Sequence, residues 1–562
     1  MKNQYDVIIL GGGLAGLTLA LQLKQNEPDI SITILEMRKS AAPSAAHKVG
    51  ESTVELGTYY LREVLGLGDY LDEHQLPKLG LRFYFSPHVK ERLDQRVELG
   101  AKDYLPVPSH QIDRGIFENE LMNRLSEMGV NIQLGARIKA VDLNGAGHQV
   151  TYLQGGETKM MTSNWVVDAT GRAGVLKRQE QFEKTLEHDI NAVWFRVKGE
   201  IDVDNWSDNV VWREKIKAGI RRLGTIHFMG KGYWVWLIPL VSGNTSVGIV
   251  ADPRFHDFTE INKFDKAMNW LAANEPLCAE KLEAYRSELM DFRILKHYAH
   301  DSGRFYATDK WGVVGEAGAF LDPFYSPGTD FISLGNTWMS DLILRDYRGE
   351  DVASRSIIYE RVHAAFFQSW VPIYQNQYEL FGNTQVMVAK ILWDWAVYWA
   401  IPTLLFTNKG YTNMEVLRAL FTTRNSIGTQ LGKLNKQMQA FFKEWNEMED
   451  EPFINYYIDF FDIPFLKDLH IALEEQHDEQ RLVEVCAENL VILEEMAAEI
   501  FRKVASSIKG TPERMKVNPY KMSLNLSNDV LIEQGENKGA VDTREVIVQD
   551  LELMWLTEKS LV

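Results

Sequence analysis

A glycine turn is the first feature with a chemical use. Gly11-Gly-Gly-Leu-Ala-Gly16 follows a β-branched run, Tyr5–Leu10, and leads into Leu17, Leu19, Ala20, Leu21 and Leu23 at helical spacing. Gly11 would permit a tight turn, Gly13 would let a pyrophosphate approach the backbone, and Gly16 would let helix and strand pack closely. The first N–H groups of the helix, Ala15 among them, would face the anion. Glu36 ends a second predicted strand, Ser31–Leu35, at the distance where an acid accepts hydrogen bonds from a ribose diol. Together these residues point to a dinucleotide; the plain alternative is a glycine turn that holds nothing.

Other residues gain meaning only from their surroundings. Trp234 and Trp236 lie two apart in Gly232-Tyr-Trp-Val-Trp-Leu-Ile-Pro239, so on a strand both indoles share a face. They could form a wall, although spacing alone favours ordinary core packing. Lys78, taken alone, is one solvated lysine among many. Arg114 precedes a helix patterned by Phe117, Leu121 and Leu125, where a surface ion pair would explain it equally well.

The elements that must position these residues read as strand, helix, strand at the amino terminus. Two later strand-to-turn segments, Trp165-Val-Val-Asp-Ala-Thr-Gly171 and Trp311-Gly-Val-Val-Gly-Glu-Ala-Gly318, could complete the same module. The expected class is α/β + α: a Rossmann-like FAD-binding domain (1–185 and 300–345), an antiparallel substrate-sheet region (186–299) and a helical C-terminal lobe (346–562). Helical patterning is expected over Asp468–Lys509, a solvated helix end at Glu444–Glu451, and a mobile loop at Ser527–Val541. Phe366–Trp399 is rich in aromatics, read as packing of the lobe or as the lining of an apolar substrate tunnel.

The glycine motif with the two later segments resembles the FAD-dependent monooxygenase superfamily, which implies FAD and assigns Gly315, Glu316 and Arg114 to its binding. Three motifs narrow the resemblance to the flavin-dependent halogenase family. Trp234, Trp236, Ile238 and Pro239 match its WxWxIP pattern. His47-Lys-Val-Gly-Glu-Ser-Thr53 resembles its flavin strap, placing Gly50, Glu51 and Ser52 at the cofactor. Pro77-Lys-Leu-Gly-Leu-Arg-Phe83 fits KxGxxF, placing Lys78 at the family's essential lysine. The resemblance implies FADH2, O2 and chloride or bromide giving hypohalous acid, which Lys78 guides to an electron-rich, phenol- or pyrrole-like aromatic. It also implies a separate flavin reductase and a small aromatic substrate, free or carrier-bound. The loop Leu321-Asp-Pro-Phe-Tyr-Ser-Pro-Gly-Thr329 departs from the family. Tyr325 replaces a glutamate, and Pro327 has no N–H to give a halide, leaving Ser326, Gly328 and Thr329 as halide candidates, the last two also at FAD.

Composition bounds the rest. With 60 Lys+Arg against 78 Asp+Glu and a net charge of -18, binding to nucleic acid or anionic lipid is disfavoured. The two cysteines support neither a disulfide framework nor a zinc site, so no metal is expected and the cytoplasm is the expected compartment. Trp395–Phe406 is too short to span a bilayer and contains Pro402. Two alternatives stand beside halogenation, an activity that would belong to secondary metabolism. One is a monooxygenase of the same superfamily without halogenation; the other is a non-catalytic flavoprotein that docks a partner.

Overall fold

The computed structural model describes residues 3–43, 50–86, 89–144, 147–217, 219–448, 457–536 and 538–555. The strap residues His47, Lys48 and Val49 lie outside them. The strand Gln4–Leu10 runs parallel between Ile32–Glu36 and the second half of Glu157–Asp168, with Asn131–Leu134 and Trp311–Val313 extending the parallel set. Val7, Ile8 and Ile9 are fully buried, as the uninterrupted apolar run of a strand covered on both faces requires. The first half of Glu157–Asp168 pairs instead with an antiparallel hairpin, His148–Gln154 and Arg137–Asp142.

Among the described residues the second sheet has eight strands: Leu289–Leu295, Asn191–Lys198, Asn244–Ala251, Tyr233–Pro239, Thr225–Gly230, Leu81–Phe85, Val97–Leu99 and Tyr457–Ile458, in that order. It therefore draws on more than the expected 186–299. Leu81–Phe85 pairs parallel with Thr225–Gly230, and Tyr457–Ile458 closes the far edge from the helical part of the chain. Alternation along Tyr233–Pro239 sorts two cores. Tyr233, Val235 and Leu237 pack towards the helix Phe264–Asn274, while Trp234, Trp236 and Ile238 face the main core shared with the flavin module.

The remaining chain is helical, and its aromatics are interior: Trp370, Tyr374, Tyr378, Phe381, Trp393, Trp395 and Trp399 are all buried. Pro402 sits in a widened helical turn, Trp399–Thr403, that continues Thr384–Tyr398. The helix expected over 468–509 is two helices, Pro464–Ile471 and Glu479–Lys509, because the Asp478 carboxylate accepts from the Arg481 N–H and starts the second afresh. The expected loop at 527–541 contains the helix Asn528–Glu536. Glu444 is not merely solvated, since it accepts from Ser523 Oγ and Leu524 N; 449–456 lie outside the described residues. Among the described residues no helix is long and apolar enough to cross a membrane.

Candidate active site

The glycine turn has the geometry of a dinucleotide cradle. Gly11 has φ +102°, and a Cβ there would lie 2.5 Å from the Ala169 carbonyl oxygen; one on Gly16 would lie 2.2 Å from that of Gly11. Gly13 caps the helix Leu14–Asn26, so the Leu14, Ala15 and Gly16 amides have no intrahelical acceptor. The buried Glu36 accepts from Gly12 N at 2.7 Å and Arg38 N at 2.7 Å, fixing its carboxylate beside the turn. Gly315, at φ +57°, packs on Ala15. These features fit FAD: a backbone anion cradle, an acid at the end of the second strand, and close approach of the third segment.

Gly50, Glu51, Ser52, Arg114, Gly315, Glu316, Ser326, Gly328 and Thr329 meet, with Trp234 and Trp236, around one cavity on the flavin side. Arg114 is no surface ion pair. It is buried, donates to Glu118 at 2.7 Å and reaches the Gly50 carbonyl at 3.3 Å. Glu51 is held by Arg196 at 2.7 Å, and burial still raises its pKa despite that charge. Ser52 Oγ lies 2.8 Å from Thr225 Oγ1. The two indoles are 5.5 Å apart. Beside them His227 stacks on Trp234 at 5.2 Å, and burial pushes its pKa down to about 3, so this ring is neutral.

The loop after Phe320 is bent sharply: Tyr325 and Ser326 both take positive φ, at 69° and 61°. Two successive non-glycine residues in that region store backbone strain. Pro327 is the N-cap of the helix Gly328–Tyr347, so the Gly328 and Thr329 amides open a long helix. Its N-terminus offers anions free N–H groups and a favourable dipole. The amide that proline lacks is thus set against two that remain.

Lys78 lies on the other side of the strap and this loop. It lines a second cavity, of about 630 Å³, together with Val54, Glu55, Tyr325, Asp330 and Asp394. Among the described residues none lines both cavities. The division runs residue by residue: Ser52 faces the flavin side and Val54 the lysine side, and likewise Ser326 and Tyr325, Thr329 and Asp330. Lys78 is buried and donates to the Thr53 carbonyl at 2.6 Å. Burial lowers its pKa to about 7, with Glu55 and Asp330 opposing the fall. Asp330 is raised to about 8 by burial, while bonds from Tyr398 Oη (2.9 Å) and Gly57 N (2.8 Å) resist. The rest of the lining is chiefly apolar, with Phe366, Trp370, Trp395, Trp399 and Phe460 prominent. Exposed Arg361, Ala365 and Ser369 mark where it opens.

Residues 4–249 match the FAD binding domain family. The flavin-dependent halogenase chlA of Dictyostelium discoideum is 26% identical over 463 residues, covering 76% of this chain and 75% of its own. The 1H-pyrrole-2-carbonyl-(peptidyl-carrier protein) chlorinase of Pseudomonas fluorescens is 23% identical over 67% of this chain and 84% of its own. These likenesses support a flavin-dependent halogenase. The structure of halogenase PltM in complex with phloroglucinol and FAD superposes with a TM-score of 0.65 at 17% identity, covering 86% of this chain and 96% of that one, a likeness of fold.

Sequence reasoning missed Glu55, Asp330, His227 and the buried pair Lys390–Asp394, whose Asp394 accepts from Tyr325 Oη at 2.8 Å. Glu55 and Asp330 adjoin motifs that were recognised, so a signal existed. Asp394 carried none, since it lies within the aromatic-rich stretch. Among the described residues no cluster of His, Cys, Asp or Glu could hold a metal.

Proposed function

We propose that the enzyme halogenates an electron-rich aromatic by sending hypohalous acid from the flavin-side cavity to Lys78. The observation that carries this reading is the pair of back-to-back cavities, divided by the strap and by the chain from Tyr325 through the first turn of the helix Gly328–Tyr347. Bound FADH2, reoxidised by O2 in the presence of chloride or bromide, supplies the oxidant. The Gly328 and Thr329 amides, with Ser326, hold the halide. Trp234 and Trp236 deny an organic substrate entry to the flavin side. Lys78 donates a hydrogen bond to hypohalous acid, polarises the halogen and fixes it against the ring. The ring gains the halogen and loses a proton, which leaves with the hydroxyl as water.

The lysine cavity supports a substrate larger than a bare ring. Its volume is several times the ~150 Å³ that accommodates benzene. Its charged groups, apart from exposed Arg361, are buried, with Glu55 and Asp330 acting on Lys78, and the remaining wall is mostly apolar. A phenol- or pyrrole-like head carrying an apolar extension fits that distribution. The cosubstrate FADH2 comes from a separate flavin reductase.

The test is turnover with a flavin reductase, NADH, FAD and bromide on a panel of phenols with and without apolar tails, scored by mass spectrometry. Brominated product, favouring tailed phenols, is expected. Hydroxylated product alone would overturn halogenation.

A further inference from the structure

The two indoles of the proposed wall are fixed in different ways. Trp236 is held by its own sheet. Its ring lies across Gly248 on the neighbouring strand, where a Cβ would come within 2.2 Å, and its Nε1 donates to Ser246 Oγ at 3.3 Å. Trp234 has no such glycine seat. Its partners across the sheet are Met229 and Val250, and its Nε1 donates out of the sheet to Tyr378 Oη at 3.1 Å.

That hydroxyl belongs to a buried chain of hydrogen bonds. Tyr378 Oη donates to Asp322 Oδ2 at 2.8 Å. The same oxygen lies 2.7 Å from His188 Nε2 and accepts from Tyr298 Oη at 3.1 Å, while Asp322 Oδ1 accepts from Phe324 N at 2.9 Å. Trp234, Tyr378, Asp322, His188 and Tyr298 are all buried. Asp322 stands at the head of the loop that carries Tyr325, Ser326, Gly328 and Thr329. The Tyr378 carbonyl also accepts from Gly232 N at 2.9 Å, at the start of the indole strand. Rotating the Trp234 ring would therefore abandon a buried donor and loosen the carboxylate that shapes the loop.

We propose that Tyr378 and Asp322 are positioning residues that lock the Trp234 indole in the wall of the flavin-side cavity and hold it in register with the halide-side loop. The proposal rests on the reading of Trp234 as the barrier. It gives the helical lobe a part in the reaction, because Tyr378 comes from that lobe and touches the wall rather than the substrate.

The experiment is a double-mutant cycle with Trp234→Phe, which removes the donor N–H together with the fused second ring, and Tyr378→Phe, which removes only the hydroxyl. In the reconstituted holoenzyme the measured quantity is brominated product per O2 consumed. In the flavin-free protein it is the denaturation midpoint, which does not depend on turnover. Tyr378→Phe is expected to lower coupling by about tenfold, the order that an unmet buried N–H imposes on two competing conformers. The double variant should be no worse than the worse single, in both measurements. Asp322→Asn, which keeps the shape and removes the charge, should lose coupling likewise and serves if Tyr378→Phe does not fold. Additive losses, or full coupling in both Tyr378→Phe and Asp322→Asn while Trp234→Phe leaks, would overturn the lock and leave the barrier standing. Unchanged coupling in Trp234→Phe would overturn the barrier itself, and the lock with it.

Discussion

Lys78 Nζ donates to the carbonyl oxygen of Thr53 at 2.6 Å, so the amine is tied to the same strap whose Gly50, Glu51 and Ser52 border the flavin-side cavity. The ammonium has two further hydrogens to direct into the cavity.

Lys78 should titrate in the working range. In the proposed mechanism its cation donates to hypohalous acid, and its pKa is lowered to about 7, so kcat/KM for halogenation should fall as pH rises through about 7. Glu55 favours that cation; Glu55→Gln should therefore move the alkaline limb to lower pH, by about one unit. A pH profile of both proteins checks this, and a shift to higher pH would contradict it.

The same group affects stability. Between about 7 and its ordinary 10.5, the unfolded chain holds a proton on Lys78 that the folded protein does not. Stability thus rises with pH through that window, and the cost of the buried cation is complete below about pH 7. Lys78→Met should melt higher than wild type at pH 6, with the gap closing towards pH 10. Melting curves across that range give the answer; a gap independent of pH would refute the assignment.

Gly248→Ala should be harmful beyond its size. The added methyl meets the Trp236 ring at 2.2 Å in a fully packed strand. Overpacking of this kind costs about 1–3 kcal/mol, and because Trp236 borders the flavin-side cavity, FAD affinity should fall as well. Chemical denaturation and flavin titration measure the two effects.

The flavin half of this arrangement was legible in the sequence because its signals are local. Gly11, Gly16 and Glu36 are demanded by one turn, and Trp234 and Trp236 stand in one short motif. The lysine cavity was not legible in the same way. Asp330 and Glu55 approach Lys78 from separate segments, and Asp394 reaches Tyr325 across 69 positions. The substrate sheet shows the same limit. Its alternation is plain within 225–251, yet the pairing of Leu81–Phe85 and Tyr457–Ile458 with distant partners leaves no periodic trace in either run.

The tunnel can be narrowed without touching charge. Gly432 lines the cavity in the helix Ile427–Met448, and a Cβ there meets nothing within 4 Å. Gly432→Leu should raise KM for tailed phenols by about tenfold, the effect of one or two methylene-sized clashes, and leave small phenols unaffected. It should also stabilise the helix by roughly 0.5–1 kcal/mol. Equal effects on both substrate sizes would argue against the tail-binding role.

The most direct test of the central claim compares wild type with Lys78→Ala in the reductase-coupled assay with bromide, adding a small thioether to trap free hypobromous acid. The account predicts that the variant still consumes O2 and oxidises the trap while brominated aromatic product disappears. Brominated product that persists without Lys78, or hydroxylated product in its place, would contradict it.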